Sequence, residues 1–151
     1  GIMVEVPSVA VAAERFAREV DFFSIGTNDL SQYTLAAERG NEAVAGLLDG
    51  PAPAVLALIA AVTEGARRHG RWVGVCGELA GDPAAAVLLA GLGVDELSMA
   101  APRIPAVKEA LRGVTLAQAR DVAARALEQD DAAAVLELVA PLLAAAADPG
   151  G

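Results

Sequence analysis

The chain holds one cysteine, one histidine, one tryptophan and one tyrosine in 151 residues, and 11 basic side chains against 20 acidic ones. A lone cysteine excludes an intrachain disulfide framework and fits a reducing cytosol. With a net charge of −9 and a pI near 4.5, no basic cluster exceeds Arg67-Arg68-His69-Gly70-Arg71. Nucleic acid and anionic membrane surfaces are therefore poor partners. The start lacks the basic segment that opens a signal peptide. Membrane insertion is not expected either: Glu137 interrupts the apolar stretch Ala132–Ala147, and residues 83–94 are too few to span. Mean hydropathy is nonetheless high, +0.47, because Ala, Val and Leu fill the candidate helices. The length suits one domain or part of one. Gly1 stands directly on a strand-like run, so the chain is expected to be a piece of something longer.

Four apolar runs alternate with helical patterns. They are residues 2–6 (IMVEV), 20–25 (VDFFSI), 72–76 (WVGVC) and 94–100 (VDELSMA). Strand–helix alternation of this kind predicts a parallel sheet with right-handed crossovers. Helices are expected over 9–18 with Ser8 as cap, over 30–37 and 41–48, and from Pro53 to about His69 with Gly70 as a left-handed stop. Asp82-Pro83 reads as an N-cap followed by proline, and Thr115 with Gln118 as a capping box. A last helix over 131–146 contains Pro141, expected to kink it, and 148–151 should fray. His69 sits at a helix C-terminus beside two arginines, where it suits the helix dipole better than catalysis.

Side-chain parity along the strands carries more information. Placing Glu5 inward also places Met3, Ser24, Gly26, Gly74, Cys76, Glu96 and Ser98 inward, with Val4, Phe23, Ile25, Val73, Val75 and Leu97 outward. One small or polar face and one bulky face are expected of a barrel interior ringed by helices. Four strands make half of an eight-stranded barrel, so the expected fold is α/β, the second half of a (β/α)8 TIM-type barrel, over residues 1–147.

A barrel would converge Glu5, Asn28-Asp29 and Cys76 at its mouth, because they close three successive strands. Glu5 near the end of a buried strand needs a partner, since an unpaired buried charge costs roughly several kcal/mol. Two carboxylates at one point favour a hard divalent cation, and Mg²⁺ takes one or two carboxylates with substrate oxygens completing its shell. Arg39 suits phosphate or carboxylate. Cys76 is a poor Mg²⁺ ligand and fits an acid, base or nucleophile, a protonated thiol being a competent donor to an enolate. The bland readings are an Asx turn capping a helix and a small buried cysteine. Spacing alone leaves metal-assisted lyase, aldolase and phosphotransferase open.

The stretches GIMVEVPS at 1–8, DFFSIGTNDLSQYTLAAERGN at 21–41, WVGVCGELAGD at 72–82 and GLGVDELSM at 91–99 resemble Enzyme I of the bacterial sugar phosphotransferase system, the phosphoenolpyruvate-protein phosphotransferase family. The similarity runs in order to about residue 140. Pyruvate phosphate dikinase and phosphoenolpyruvate synthase share its outline, but Ser31-Gln-Tyr-Thr-Leu, Arg39-Gly-Asn41 and Cys76-Gly-Glu-Leu-Ala-Gly-Asp82 favour Enzyme I. The resemblance implies that Glu5 and Asp29 hold Mg²⁺ and that Asn28 and Asp29 contact phosphoenolpyruvate. It implies that Arg39 binds the phosphate end, and that Cys76 protonates the enolate to give pyruvate. It further implies a cytoplasmic homodimer whose acceptor histidine, and whose contact with the phosphocarrier protein HPr, lie on an amino-terminal domain absent from this sequence. His69 matches no acceptor motif. A non-catalytic interaction or dimerisation piece is the alternative from another class.

Overall fold

The four apolar runs form parallel strands β1 (Ile2–Val4), β2 (Phe22–Gly26), β3 (Trp72–Cys76) and β4 (Glu96–Ser98), hydrogen-bonded in chain order β1-β2-β3-β4. The computed structural model describes residues 1–38 and 40–147. Arg39 and the tail at 148–151 lie outside the described residues. Parallel pairing fixes which residues share a face. One register row runs Met3–Ser24–Gly74–Glu96 and the next contains Gly26–Cys76–Ser98. On the other face Val4, Phe23, Ile25, Val73 and Val75 are each at most 1% exposed, whereas Met3 and Trp72 on the first face are 47% and 42% exposed. One face is thus covered by helices and the other is open, as in half of an eight-stranded barrel seen from its axis.

The inner face is less uniformly small than parity implies. Phe22 and Trp72 are register partners below that row, and their rings stack at 4.6 Å with 13° between planes. The edge strands are also shorter than their apolar runs. At β1, Val6 becomes the N-cap of the next helix, and Pro7, without an N–H, takes its first position. That corrects the expected Ser8 cap: Ser8 lies inside the helix, and no side chain caps its start. At β4, Asp95 completes the ladder with both backbone and side chain, its N–H donating to Val73 O at 2.9 Å and its Oδ2 accepting from Val73 N at 2.8 Å.

Eight α-helices are present among the described residues. The helix expected over 9–18 is two pieces, α1 (Pro7–Val11) and α2 (Ala13–Phe16), stepped at Ala12. The step lets the start of α2 approach α4 (Pro53–Arg67) at Gly65, where a Cβ would stand 2.8 Å from Glu14 N. Between these lies α3 (Thr27–Leu35), closed by Ala36 at φ 51°. The helix expected over 41–48 is a 3-10 turn, Ala45–Leu48, because Asn41 instead forms a local turn, its Oδ1 accepting from Ala43 N at 3.1 Å. Gly70 stops the chain after α4 at φ +65°. Asp82 caps α5 (Pro83–Gly91) by accepting from Ala85 N at 2.8 Å. A 3-10 turn (Ala101–Arg103) leads into α6 (Ile104–Arg112), and the Thr115–Gln118 capping box starts α7 (Leu116–Ala126). Asp131 accepts from Ala134 N at the head of α8 (Ala132–Ala147), which carries Pro141 internally.

The stretch Ala45–Arg67 is long and apolar enough to cross a membrane by composition. Gly50-Pro51-Ala52-Pro53 breaks it, and α4 places Val55, Ile59, Val62 and Ala66 in the core against the sheet. Helix α5 is apolar nearly all round because it lies between two cores. Ala85 and Leu89 face the sheet, while Val87 and Leu88 pack with Val122, Val135 and Val139. Gly91 makes this packing close: a Cβ there would stand 2.1 Å from Ala119 O of α7. Gly91→Ala should therefore destabilise the chain by about 1–3 kcal/mol, as overpacking does, which the urea midpoint followed by circular dichroism will register.

Candidate active site

The carboxyl ends of β2, β3 and β4 open into a cleft of about 1010 Å³. Its floor and walls include Thr27, Asn28, Cys76, Gly77, Glu78 and Ser98. Parallel strands place these groups together because all their ends point the same way. Glu5 follows β1 and lies over Gly26, its Cγ and Oε1 2.8 and 2.9 Å from where a Gly26 Cβ would stand. A glycine at 26 therefore leaves the half-buried Glu5 carboxylate its place.

Helix α3 begins immediately after β2, three residues earlier than its apolar pattern predicts. Asn28 and Asp29 accordingly occupy its first turn, where the helix dipole favours a carboxylate. Thr27 is 1% exposed and donates through Oγ1 to Cys76 O at 3.0 Å. Asn28 Oδ1 accepts from Glu78 N at 3.0 Å. These two bonds tie the end of β2 to the end of β3. With its oxygen so engaged, Asn28 lines the cleft.

Cys76 is half-buried and lines the cleft. Its Sγ donates to Ile25 O at 3.5 Å and lies 3.9 Å from Ser24 Oγ. Gly77 follows at φ +111°, a conformation suited to glycine. A Cβ at 77 would lie 2.5 Å from Thr27 Oγ1 and 2.8 Å from Asn28 Oδ1.

The structure thus draws Asn28 and Cys76 into one cleft, with Asp29 in the same helical turn and Glu5 at the neighbouring strand end. Arg39 lies outside the described residues. His69 precedes β3 and so stands at the opposite end of that strand from Cys76. Among the described residues no group of three or more His, Cys, Asp or Glu gathers as a metal cluster. Thr27, Gly77, Ser98 and Arg103 also shape the cleft and were not among the expected site residues. Thr27 and Gly77 were signalled only by their place beside Asn28 and Cys76; Arg103 had no sequence signal, since it depends on how the 3-10 turn after β4 folds back.

A parallel half-barrel with an acid–amide–thiol set at its strand ends defines the class. The chain belongs to the PEP-utilising enzymes, as their PEP-binding domain: that family's sequence pattern matches residues 1–116. Among curated relatives, the phosphoenolpyruvate-protein phosphotransferase of Haloferax volcanii is 55% identical over 139 residues, covering 92% of this chain and 25% of that protein. The multiphosphoryl transfer protein of Xanthomonas campestris is 55% identical over 140 residues, 93% of this chain and 17% of its own length. The phosphoenolpyruvate-protein phosphotransferase of Haemophilus influenzae is 49% identical over 143 residues, 95% of this chain and 25% of its own. The chain therefore spans a quarter or less of the length of these relatives.

Gly77→Ala should strain the backbone and push apart Thr27 and Asn28. The expected result is faster Cys76 modification by a thiol reagent, together with a loss of about 1–3 kcal/mol in stability. Thiol labelling kinetics beside a urea titration separate the two effects.

Proposed function

We propose that this chain is the carboxyl-terminal half of the phosphoenolpyruvate-binding barrel of a phosphoenolpyruvate-protein phosphotransferase, over residues 1–147. The observation that carries this reading is the joining of Asn28 to the Cys76 turn at the mouth of a parallel half-barrel. The reaction moves the phosphoryl group of phosphoenolpyruvate to a histidine and leaves an enolate, which becomes pyruvate on gaining a proton at carbon. His69 is at the wrong end of the sheet for that acceptor. The acceptor histidine and the contact with HPr belong to a domain beyond this sequence. A cytoplasmic homodimer is part of the same proposal.

Each residue has a distinct task. Asn28 offers its amide N–H groups to the substrate, and Arg39 takes the phosphate end. The Cys76 thiol, placed at the end of β3 by its bond to Ile25 O, delivers the proton to the enolate. Glu5 and Asp29 would hold Mg²⁺, which supplies charge neutralisation to the transferring phosphoryl group. The chemistry suits that ion: Glu5 follows β1, Asp29 stands in the first turn of α3 after β2, Gly26 leaves room for Glu5, and Mg²⁺ takes its other oxygens from water and substrate.

Glu5→Gln and Asp29→Asn should each weaken Mn²⁺ binding, Mn²⁺ standing in for Mg²⁺, by roughly tenfold or more, since each removes one of two charged ligands. Electron paramagnetic resonance of free Mn²⁺ measures this, and parental affinity in both variants would exclude the site. In a full-length transferase carrying this domain, Cys76→Ala should spare cleavage of the phosphate ester more than proton delivery, by roughly 10²–10⁴-fold. Pyruvate formed from the enolate at the parental rate would remove Cys76 from that role.

A further inference from the structure

Charge in the cleft is unbalanced. Its described lining residues include Asp49, Glu78 and Asp82 but a single cation, Arg103. Asp82 is engaged as the cap of α5. Arg103 ends the 3-10 turn after β4, whose Ser98 is the register partner of Cys76. Its stem lies over buried Gly81, with Cγ and Cβ 3.3 and 3.5 Å from where a Cβ on that glycine would stand. The glycine therefore lets the arginine approach the turn that follows Cys76.

Arg67, Arg68, Arg71 and Arg125 all have carboxylates within 4.0 Å. Arg103 makes no ion pair among the described residues, although the cleft around it is acidic. A guanidinium held by its stem and not consumed by a neighbouring carboxylate is available to an anion. Helix ends act in the same direction, because the amino-terminal ends of α3 and α5 both meet this cleft, through Thr27 and Asp82. A second groove, lined by Arg67, Arg71 and Arg120, has the opposite setting. It lies at the carboxyl-terminal ends of α4 and α5, where arginines offset the negative pole of the helices. The mouth, not that groove, is where an added anion gains.

We infer that Arg103 is a positioning residue for the anionic substrate, taking the carboxylate or the phosphate of phosphoenolpyruvate from the β4 side of the cleft. This inference rests on the phosphoenolpyruvate reading above. The side chain approaches the cleft from the turn that follows β4.

The test titrates the 151-residue chain with phosphoenolpyruvate, pyruvate and inorganic phosphate, with Mg²⁺ present, and follows binding by nuclear magnetic resonance. Arg103→Gln should weaken phosphoenolpyruvate binding roughly tenfold, the loss expected of a charge-assisted hydrogen bond. Arg103→Lys should recover part of that loss, and Arg112→Gln, at an exposed position that ends α6, should change nothing. A loss confined to pyruvate assigns Arg103 to the carboxylate, and one confined to phosphate assigns it to the phosphoryl group. Parental affinity in Arg103→Gln, alongside weakened binding in Asn28→Ala, overturns the inference and leaves the phosphoenolpyruvate reading standing. Equal loss in the Gln and Lys variants with an altered circular dichroism spectrum marks a structural role and also overturns it. A folded parent chain that binds no phosphoenolpyruvate overturns both this inference and the reading beneath it.

Discussion

The parallel ladder between β2 and β3 is the constraint on which the other features depend. Its five register pairs, from Phe22–Trp72 to Gly26–Cys76, fix the pleat of both strands at once. A slip of β3 by one residue would turn Val73 and Val75 into the open face and push Gly74 and Cys76 into the helical layer. Both valines are at most 1% exposed, so such a slip would forfeit roughly 1.5–3 kcal/mol for each of them. Hydrophobic burial on the outer face thus sets the direction in which the Cys76 thiol points on the inner one. Chemistry and packing are joined through a two-residue period.

Beyond the ladder, the cleft is assembled by close backbone approaches that side chains would prevent. Gly26 leaves a place for Glu5, and Gly77 lets the Cys76 turn come against Thr27 and Asn28. The two hydrogen bonds that follow, Thr27 Oγ1 to Cys76 O and Glu78 N to Asn28 Oδ1, bind consecutive strand ends into one wall. Preorganisation of this kind matters because a polar group already oriented need not be reordered when the substrate arrives. The helical layer supports that wall from behind. Helix α5 contributes to both cores, so the bundle of α6, α7 and α8 is coupled to the sheet through a helix capped at the cleft by Asp82.

The open inner face gives the half-barrel its particular character. Met3 and Trp72 point away from the helices and remain substantially exposed, and the stacked Phe22–Trp72 pair lies below the polar rows of the sheet. In a closed barrel these positions meet an opposite wall. The relatives named above are about four times as long as the region they share with this chain, or longer.

The sequence by itself determined the order and direction of the strands, the inward and outward residues of each, the caps at Asp82 and Thr115, and the grouping of Asn28 with Cys76. Those features are local or periodic: alternation has a period of two, capping spans three residues, and parallel strands joined by helices must end on the same side. Competing local signals and tertiary structure decided the rest. Whether Ser8 or Val6 opens α1 depended on Pro7 favouring the first helical position over an available hydroxyl cap. The step at Ala12 comes with a close approach of Glu14 to Gly65 of α4, a residue distant in sequence. That residues 41–48 would form a 3-10 turn depended on Asn41 bonding Ala43 N, a competition between side chain and helix that propensity leaves undecided. The aromatic pair on the inner face, the Thr27 and Gly77 contacts and the place of Arg103 are all meetings of residues distant in sequence. Periodicity carries no information about such meetings, because they are fixed only when the elements pack.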